Sequence, residues 1–550
     1  MRQSAVRNPN SPPGSILIAI IIALVIVQIA VIGIVSLGNR DQSLFKLRLE
    51  ASQSQYSAEA GMQMAIREVY DGTDEDGDGA VGSISDDGNS ANDPVINGCP
   101  VRVTRSVSGT TTTLTSVASS TSTARKEQLS YQSVFPNKPS AFFRDAGNKK
   151  VQASFRDTSF AWSTPADSGA THDLPVWVVS KSTRINSGAT VVGVQDKTGY
   201  LAVGLADATT GVATYSAVCT DTGQGDCPSY RAFDIGVENT SGRALIAYYD
   251  NGGGIKKIRY RTYDGTTLSA AADTGATTAN VDWVTLFSRP NSNEMLCMFL
   301  DDGKQIRTQF WSGSAWTAAV SLQDKVDNFI YECYSGCYQQ TSENPLIVYA
   351  DTGNKLWYRA YSSGAWGTET LLADIGNKVR WVRLAPRPGT NEVFCAIGRD
   401  DQKIAWTRWS GSAWDAITTS GTASGFKDRR MFDIACSPDG TQVVLVYDKN
   451  ASQFYYRTYA SGAWGAETAG PTTGSKVMIV QLAAGPGDSD VLGLVSNDSN
   501  GLYGFHWNGT SFANVVQVKS DISNKDQCQR FYVDPGYAVT RIMSYLQVAP

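Results

Sequence analysis

The sequence predicts a mainly β protein with one long N-terminal α-helix: the helix, a small antiparallel sheet, and then an eight-bladed β-propeller. Three observations carry this. Ser15 to Leu37 reads SILIAIIIALVIVQIAVIGIVSL, without a charge. Helical spacing continues past it to Tyr70. From residue 140 the chain repeats with a unit of about 49 residues, each unit carrying four short strand patterns.

The helix comes first. About 20 apolar residues cross a bilayer, and a secretory signal core is shorter, ~7–15 residues. A retained membrane span is therefore expected. Arg2 and Arg7 precede it with no acidic residue among them. That places the N-terminus in the cytoplasm and the globular part outside the cytoplasmic membrane. Leu44, Leu47, Ala51, Tyr56, Ala60, Met64 and Val69 recur at roughly helical spacing. One helix over 15–70 is expected, about 80 Å long, with Gly33 the place for a bend and Glu59 facing solvent or paired.

DGTDEDGDGAVGSISDDG follows. Asp74, Asp76 and Asp78 alternate ahead of Gly79 and Val81, the first half of a calcium loop. Ser85 stands where that loop needs a bidentate Glu, with Asp86 or Asp87 as nearby substitutes. Close carboxylates repel, so Ca2+ is the expected cofactor at Asp74, Asp76, Asp78 and Asp86; the plainer reading is a solvated acidic loop. Cys99 to Phe135 alternates in Thr-rich segments with Gly turns, which predicts a small antiparallel sheet against the helix.

The repeats dominate the rest. IRYRTYDGTTL, LWYRAYSSGAW and FYYRTYASGAW place Arg261, Arg359 and Arg457 at intervals of 98 residues. IRTQFWSGSAW, IAWTRWSGSAW and LYGFHWNGTSF place Trp311, Trp409 and Trp507 at the same interval. Neighbouring units thus belong to two alternating types. Apolar strands end at Asp250, Asp301, Asp351, Asp400, Asp448 and Asp498, and diverged copies precede them at Asp145 and Asp196. Blades bury their faces only against one another, and duplication of pairs favours eight. The segment QRFYVDP, Gln529 to Pro535, matches the first strand of a blade and is expected to complete the first. A β-solenoid is the alternative. The recurrent Asp residues are expected to fix hairpin turns. The Trp residues are expected either to wedge between blades or to stack on sugars. With the three Arg they form the candidate ligand-binding set, and paired ion contacts are the plain reading for the Arg.

Nine Cys occur in a compartment that permits disulfides. Cys219 and Cys227 flank DTGQGD and are candidates to clip it; Cys333 and Cys337 pair or are mere neighbours. Cys297, Cys395 and Cys436 read as packed thiols, and Cys99 and Cys528 have no evident partner. His172 and His506 are the only histidines, which excludes His-rich metal sites. The net charge of −5 without a basic patch argues against nucleic acid. No unique carboxylate pair marks a glycosidase, and the sialidase-type Ser-x-Asp-x-Gly-x-x-Trp box is missing, so no enzyme activity is expected.

A polar leader ending at Gly14, an apolar helix start, and then YSAEAGMQMA resemble the type IV pilin superfamily, closest to minor pilins and pseudopilins. The resemblance covers residues 8–70, and more weakly those to 135. It implies cleavage by prepilin peptidase between Gly14 and Ser15 and packing of the helix with other pilin-like subunits. Ser15 and Ala19 stand where major pilins carry Phe and Glu. Loss of that Glu is familiar in pseudopilins that cap a filament. The expected domains are a leader (1–14), a transmembrane pilin-type helix (15–70), an acidic loop with small sheet (71–135) and a propeller (136–550). Together they predict a minor-pilin-like filament subunit. It would present the propeller at a filament tip for adhesion to a surface, a glycan or a protein. The alternatives are a secretion-system pseudopilin contacting cargo and a membrane-tethered propeller hydrolase.

Overall fold

The computed structural model describes residues 14–548 except 72–73, 75, 79, 81, 86–92, 109–110, 138, 157–160, 170–174, 184–188, 208–212, 224–229, 278–279, 324–325, 327–330, 426, 486–489, 523–528, 530 and 536. Two compact units result: residues 1–134 with 540–550, and residues 135–539.

In the first unit, one helix runs Gly14–Asp71, 58 residues long, and continues through Gly33. Residues 20–49 are exposed throughout, and this stretch is long and apolar enough to cross a membrane. Exposed apolar surface on this scale marks a membrane or partner contact. The second half of the helix is different. Ala58, Met62 and Ala65, spaced to share one face, are buried against Val101, Val103, Leu114 and Leu129. Those residues belong to the sheet, whose strands lie in the order Val95–Ile96, Cys99–Ser108, Thr111–Ser119, Ala124–Asn137 and Tyr537–Val548.

Gly61 explains the close approach. A Cβ there would lie 2.2 Å from Val101 Cγ1 and 3.0 Å from Ser116 Oγ. The fit leaves the Ser116 hydroxyl free to donate to the Ala58 carbonyl at 2.8 Å. Ser57 likewise donates to the Ile96 carbonyl at 2.8 Å.

The last strand corrects the expected boundary. Residues 136–550 do not all belong to the propeller, because Tyr537–Val548 pairs beside Ala124–Asn137 and 540–550 fall in the first unit. That strand covers an edge that would otherwise carry unpaired N–H and C=O groups.

The second unit is a ring of eight sheets. Inner strands are Pro175–Ser182 (blade 2), Phe233–Val237 (blade 3), Val281–Ser288 (blade 4), Tyr334–Tyr338 (blade 5), Val379–Pro386 (blade 6), Phe432–Cys436 (blade 7) and Val477–Ala484 (blade 8). Each continues outward through strands that follow it in sequence. Blade 1 is composite: Phe531–Asp534 pairs antiparallel with Ser140–Arg144, which leads to Val151–Phe155 and Ala166–Asp167. Every inner strand contacts the next, and blade 8 contacts blade 1, so the ring closes. The expected eight blades and the closing strand are both present. Acceptors on side chains and main chain pin neighbouring blades together. Val284, Val382 and Val480 each donate to the carbonyl of Arg231, Glu332 and Arg430 at 3.1 Å, and Val178 donates to that of Gln529 at 3.3 Å. Asp234 accepts from Leu286 N at 2.9 Å, and Asp433 from Leu482 N at 3.0 Å.

Gly61→Leu forces a side chain into a space that Val101 and Ser116 already fill. Overpacking of this kind costs about 1–3 kcal/mol. The lowest-temperature unfolding step in differential scanning calorimetry should move down, while the ring's transition stays unchanged.

Candidate functional site

Sequence alternation produces two kinds of seam between blades. From odd to even blades the seams are closed. Trp311, Trp409 and Trp507 are 3%, 6% and 3% exposed. Each lies against a Tyr of the preceding blade: Tyr260 at 5.2 Å, Tyr358 at 5.5 Å and Tyr456 at 5.5 Å between ring centroids. A second ring completes each cluster: Trp316, Trp414 or Phe512. Each indole N–H donates back across the seam, to Glu238 at 2.8 Å, Gln339 at 3.1 Å and Gln442 at 2.7 Å. These faces are packed, and they serve as wedges.

From even to odd blades, seams 4–5 and 6–7 are half open. On blade 7, Arg457 lies with its guanidinium carbon 5.2 Å from the Trp406 ring of blade 6, and it donates to the Gly465 carbonyl at 2.8 Å. Arg457 Nε is buried and unpartnered. Beside it, Tyr447 donates to Glu467 at 2.6 Å, and Lys449 ion-pairs with the same carboxylate. Trp464 stands next to Trp406, at 6.2 Å. Desolvation pushes the Glu467 carboxyl up, but Lys449 and Tyr447 outweigh it and hold it below its usual range. Burial and Glu467 push the Tyr447 phenol up.

Blade 5 repeats the arrangement 98 residues earlier. Tyr349 donates to Glu369 at 2.7 Å, Arg359 Nε donates to the Tyr349 oxygen at 3.3 Å, and Trp366 donates across the seam to Thr308 at 3.1 Å. Arg359 also reaches the Leu322 carbonyl of blade 4 at 3.3 Å. On blade 3, Arg261 keeps the equivalent place and bonds the Ser269 carbonyl at 3.5 Å. There Leu268 stands for the Trp and Ala271 for the Glu, so this copy is incomplete. The structure therefore adds Glu369, Glu467, Tyr349, Tyr447, Trp366 and Trp464 to the sequence-derived Arg residues. The signal was present in the repeated GAWGTET and GAWGAET, where both Trp and Glu recur.

The recurrent Asp residues do fix turns: Asp351 accepts from Gly353 N at 2.7 Å and Lys355 N at 3.0 Å, and Asp196 from Thr198 N at 2.8 Å. Of the two candidate cysteine pairs, only Cys333 and Cys337 both lie among the described residues, and they are not bonded. Cys219 is a thiol donating to the Asp221 carbonyl at 3.2 Å, and Cys227 lies outside the described residues. Cys333 and Cys337 are both free. Four residues along extended chain separate their Cα atoms by about 13 Å, far beyond disulfide reach.

At the end of the helix, the acidic loop brings Glu68, Asp74 and Asp76 within 4.8 Å of one another. Glu68 is a buried helix residue absent from the sequence-derived set. It accepts from Gly82 N at 2.9 Å. Desolvation raises the Asp76 carboxyl. Asp78 turns elsewhere, accepting from Ala80 N at 2.8 Å, and Asp86 lies outside the described residues. Hard oxygen donors suit Ca2+. Gly14 and Ser15 both lie within the first helical turn.

No protein family model matches the chain, and no curated protein matches it. Among solved structures, it is similar to the BP39L lectin from Burkholderia pseudomallei (11% identity, 62% of this chain and 98% of that one, TM-score 0.45). It is also similar to the Aleuria aurantia lectin, solved with α-methyl-L-fucoside (13% identity, 53% and 97%, TM-score 0.33). A dihydro-heme d1 dehydrogenase is similar over 72% of this chain and 75% of its own (10% identity, TM-score 0.46).

Proposed function

We propose that the ring is a carbohydrate-binding head, with sites at seams 4–5 and 6–7. The observation that supports this is the duplicated cluster of Arg, Tyr, Glu and Trp on blades 5 and 7. Vicinal sugar hydroxyls need paired donors and acceptors, and the C–H face of the ring needs an aromatic surface. A half-buried guanidinium and carboxylate next to indoles supply both. Because Glu467 is held ionised by Lys449 and Tyr447, it remains an acceptor at mildly acidic pH.

The head is carried by a membrane-stored subunit of minor-pilin type, N-terminus in the cytoplasm, cleaved between Gly14 and Ser15. The uninterrupted apolar helix supports that reading, as does the absence of a Glu at Ala19 for a tip position. The cluster of Glu68, Asp74 and Asp76 is a Ca2+ site that ties the acidic loop to the helix end.

On a glycan array, full-length protein in detergent should bind a defined set of glycans. The double variant Glu369→Gln, Glu467→Gln should weaken that binding about tenfold or more, equivalent to about 1.4 kcal/mol. Undiminished binding by that variant would remove the seams as the site. Because the Glu467 carboxyl is held below its ordinary 4.5, it stays ionised down to that pH, so affinity should be level from about pH 8 to about pH 5.5 and fall only below about 4.5. N-terminal analysis of protein from cells should read Ser15 first; an intact Met1 rejects pilin-type processing. Millimolar CaCl2 should raise the unfolding temperature of the helix–sheet unit through binding to the folded form. Glu68→Gln should abolish the rise, and its persistence would move calcium elsewhere.

A further inference from the structure

The ring axis holds a second feature, separate from the seams. Inner strands enclose a cavity of about 420 Å³. At one level, residues from odd and even blades alternate around it. The odd blades supply Gln529, Arg231, Glu332 and Arg430, and the even blades Trp177, Trp283, Trp381 and Ile479. The three indoles pack edge to face, Trp177 on Trp283 at 5.4 Å and Trp283 on Trp381 at 5.9 Å. They are almost fully buried. Lining residues where the inner strands finish, Asn239, Gln340 and Pro386 among them, are partly exposed.

Charge is divided unevenly in this cavity. Arg231 contacts two carboxylates directly, Asp234 at 2.9 Å and Glu332 at 3.3 Å. Arg383 and Arg430 share one. Asp433 accepts from Arg383 at 3.3 Å and from the main-chain N–H groups of Ile434 and Leu482, both at 3.0 Å. Little of it is left for Arg430, whose Nη2 stands 3.6 Å away. Among the described residues, four buried polar atoms on residues that line the cavity have no hydrogen-bond partner: Arg430 Nε, Arg430 Nη2, Trp177 Nε1 and Trp381 Nε1. All four are donors. Leaving donors unmade in a protein interior is costly, and a buried cation without its own anion costs more. Burial and the adjacent Arg383 push the Arg430 guanidinium down, to about 10. Four basic side chains line the cavity, Lys181, Arg231, Arg383 and Arg430, against three carboxylates, Asp234, Glu332 and Asp534; a cavity of this size takes a small molecule, and its lining carries one more cation than anion.

We propose that the axial cavity binds a small oxyanion, a carboxylate or phosphate group, held by Arg430 and Arg383. Guanidinium groups take such oxyanions in bidentate fashion. This site is independent of the seams, so either can fail without the other.

The test uses full-length protein in detergent, titrated with inorganic phosphate or with acetate, each against chloride at matched ionic strength. Unfolding temperature and calorimetric heat are read together. Phosphate, acetate or both should raise the unfolding temperature saturably, and the one that acts identifies the source of the oxyanion. Arg430→Met should weaken half-saturation about tenfold or more while leaving glycan binding intact. In the absence of ligand, Arg430→Met should unfold at the same or a higher temperature, because an undercompensated buried charge has been removed. Arg430→Gln serves if the Met variant does not fold. Three results overturn the proposal: no response beyond chloride to either anion, an equal response in the Arg430 variants, or a lowered unfolding temperature of the ligand-free Arg430 variants.

Discussion

A recurring main-chain contact holds the ring. The N–H of Val178, Val284, Val382 or Val480, on an even blade, donates to the carbonyl of the residue that leads into the preceding odd blade. A four-stranded blade buries neither face by itself, and its inner strand would otherwise present unpaired groups at the axis. Carboxylates reinforce the contact on three of the four pairs, where Asp234, Asp433 and Asp534 accept from the main-chain N–H groups of Leu286, Leu482 and Ser182. On blade 5 the equivalent residue is Ser335, which is too short for the same reach. Blade pairs, not single blades, are therefore the structural unit. That matches the 98-residue interval at which the sequence duplicates.

The division into pairs also sorts the aromatic residues. Within a pair, Trp311, Trp409 and Trp507 are consumed in packing, and each burial of so large a side chain contributes roughly 1.5–3 kcal/mol or more. Between pairs, other aromatic clusters cross the seams, Phe310 with Tyr361 and Trp366 and Phe394 with Tyr459 and Trp464, and their Trp366 and Trp464 are only partly buried. Arg359 and Arg457 occupy the space, with carboxylates and indoles that keep part of their surface in solvent. The rigid seams hold the chain's half-open ones in place, an arrangement that suits recognition at fixed geometry.

Much of this was legible in the residues. Repetition announced the blades, and QRFYVDP announced the closing strand, because both are short-range patterns. The charge-free helix was equally plain. What escaped was non-local. Tyr537–Val548 reads like any strand, and nothing near it in sequence says that its partner is Ala124–Asn137. Glu68 lies in the helix with nothing near it in sequence to mark it, and only the loop brings Asp74 and Asp76 beside it. Trp177, Trp283 and Trp381 come together only when three strands spaced around a circle point inward. The supposed Cys333–Cys337 pair failed on strand geometry, which places residues four apart too far from each other. Gly61, by contrast, was visible within the AEAG stretch as a residue, while its reason, contact with Val101, was not.

The placement of the last strand governs the order in which the chain can mature. The helix emerges from the ribosome first, but the sheet against it lacks its fifth strand until some 400 further residues have been made. Blade 1 waits equally long, because its inner strand, Phe531–Asp534, immediately precedes that fifth strand. A nascent chain halted anywhere before residue 531 therefore carries two open sheet edges at once, and both are templates for aggregation. The two strands close these edges in succession, ring before sheet: Phe531–Asp534 completes blade 1, and Tyr537–Val548 then lies beside Ala124–Asn137.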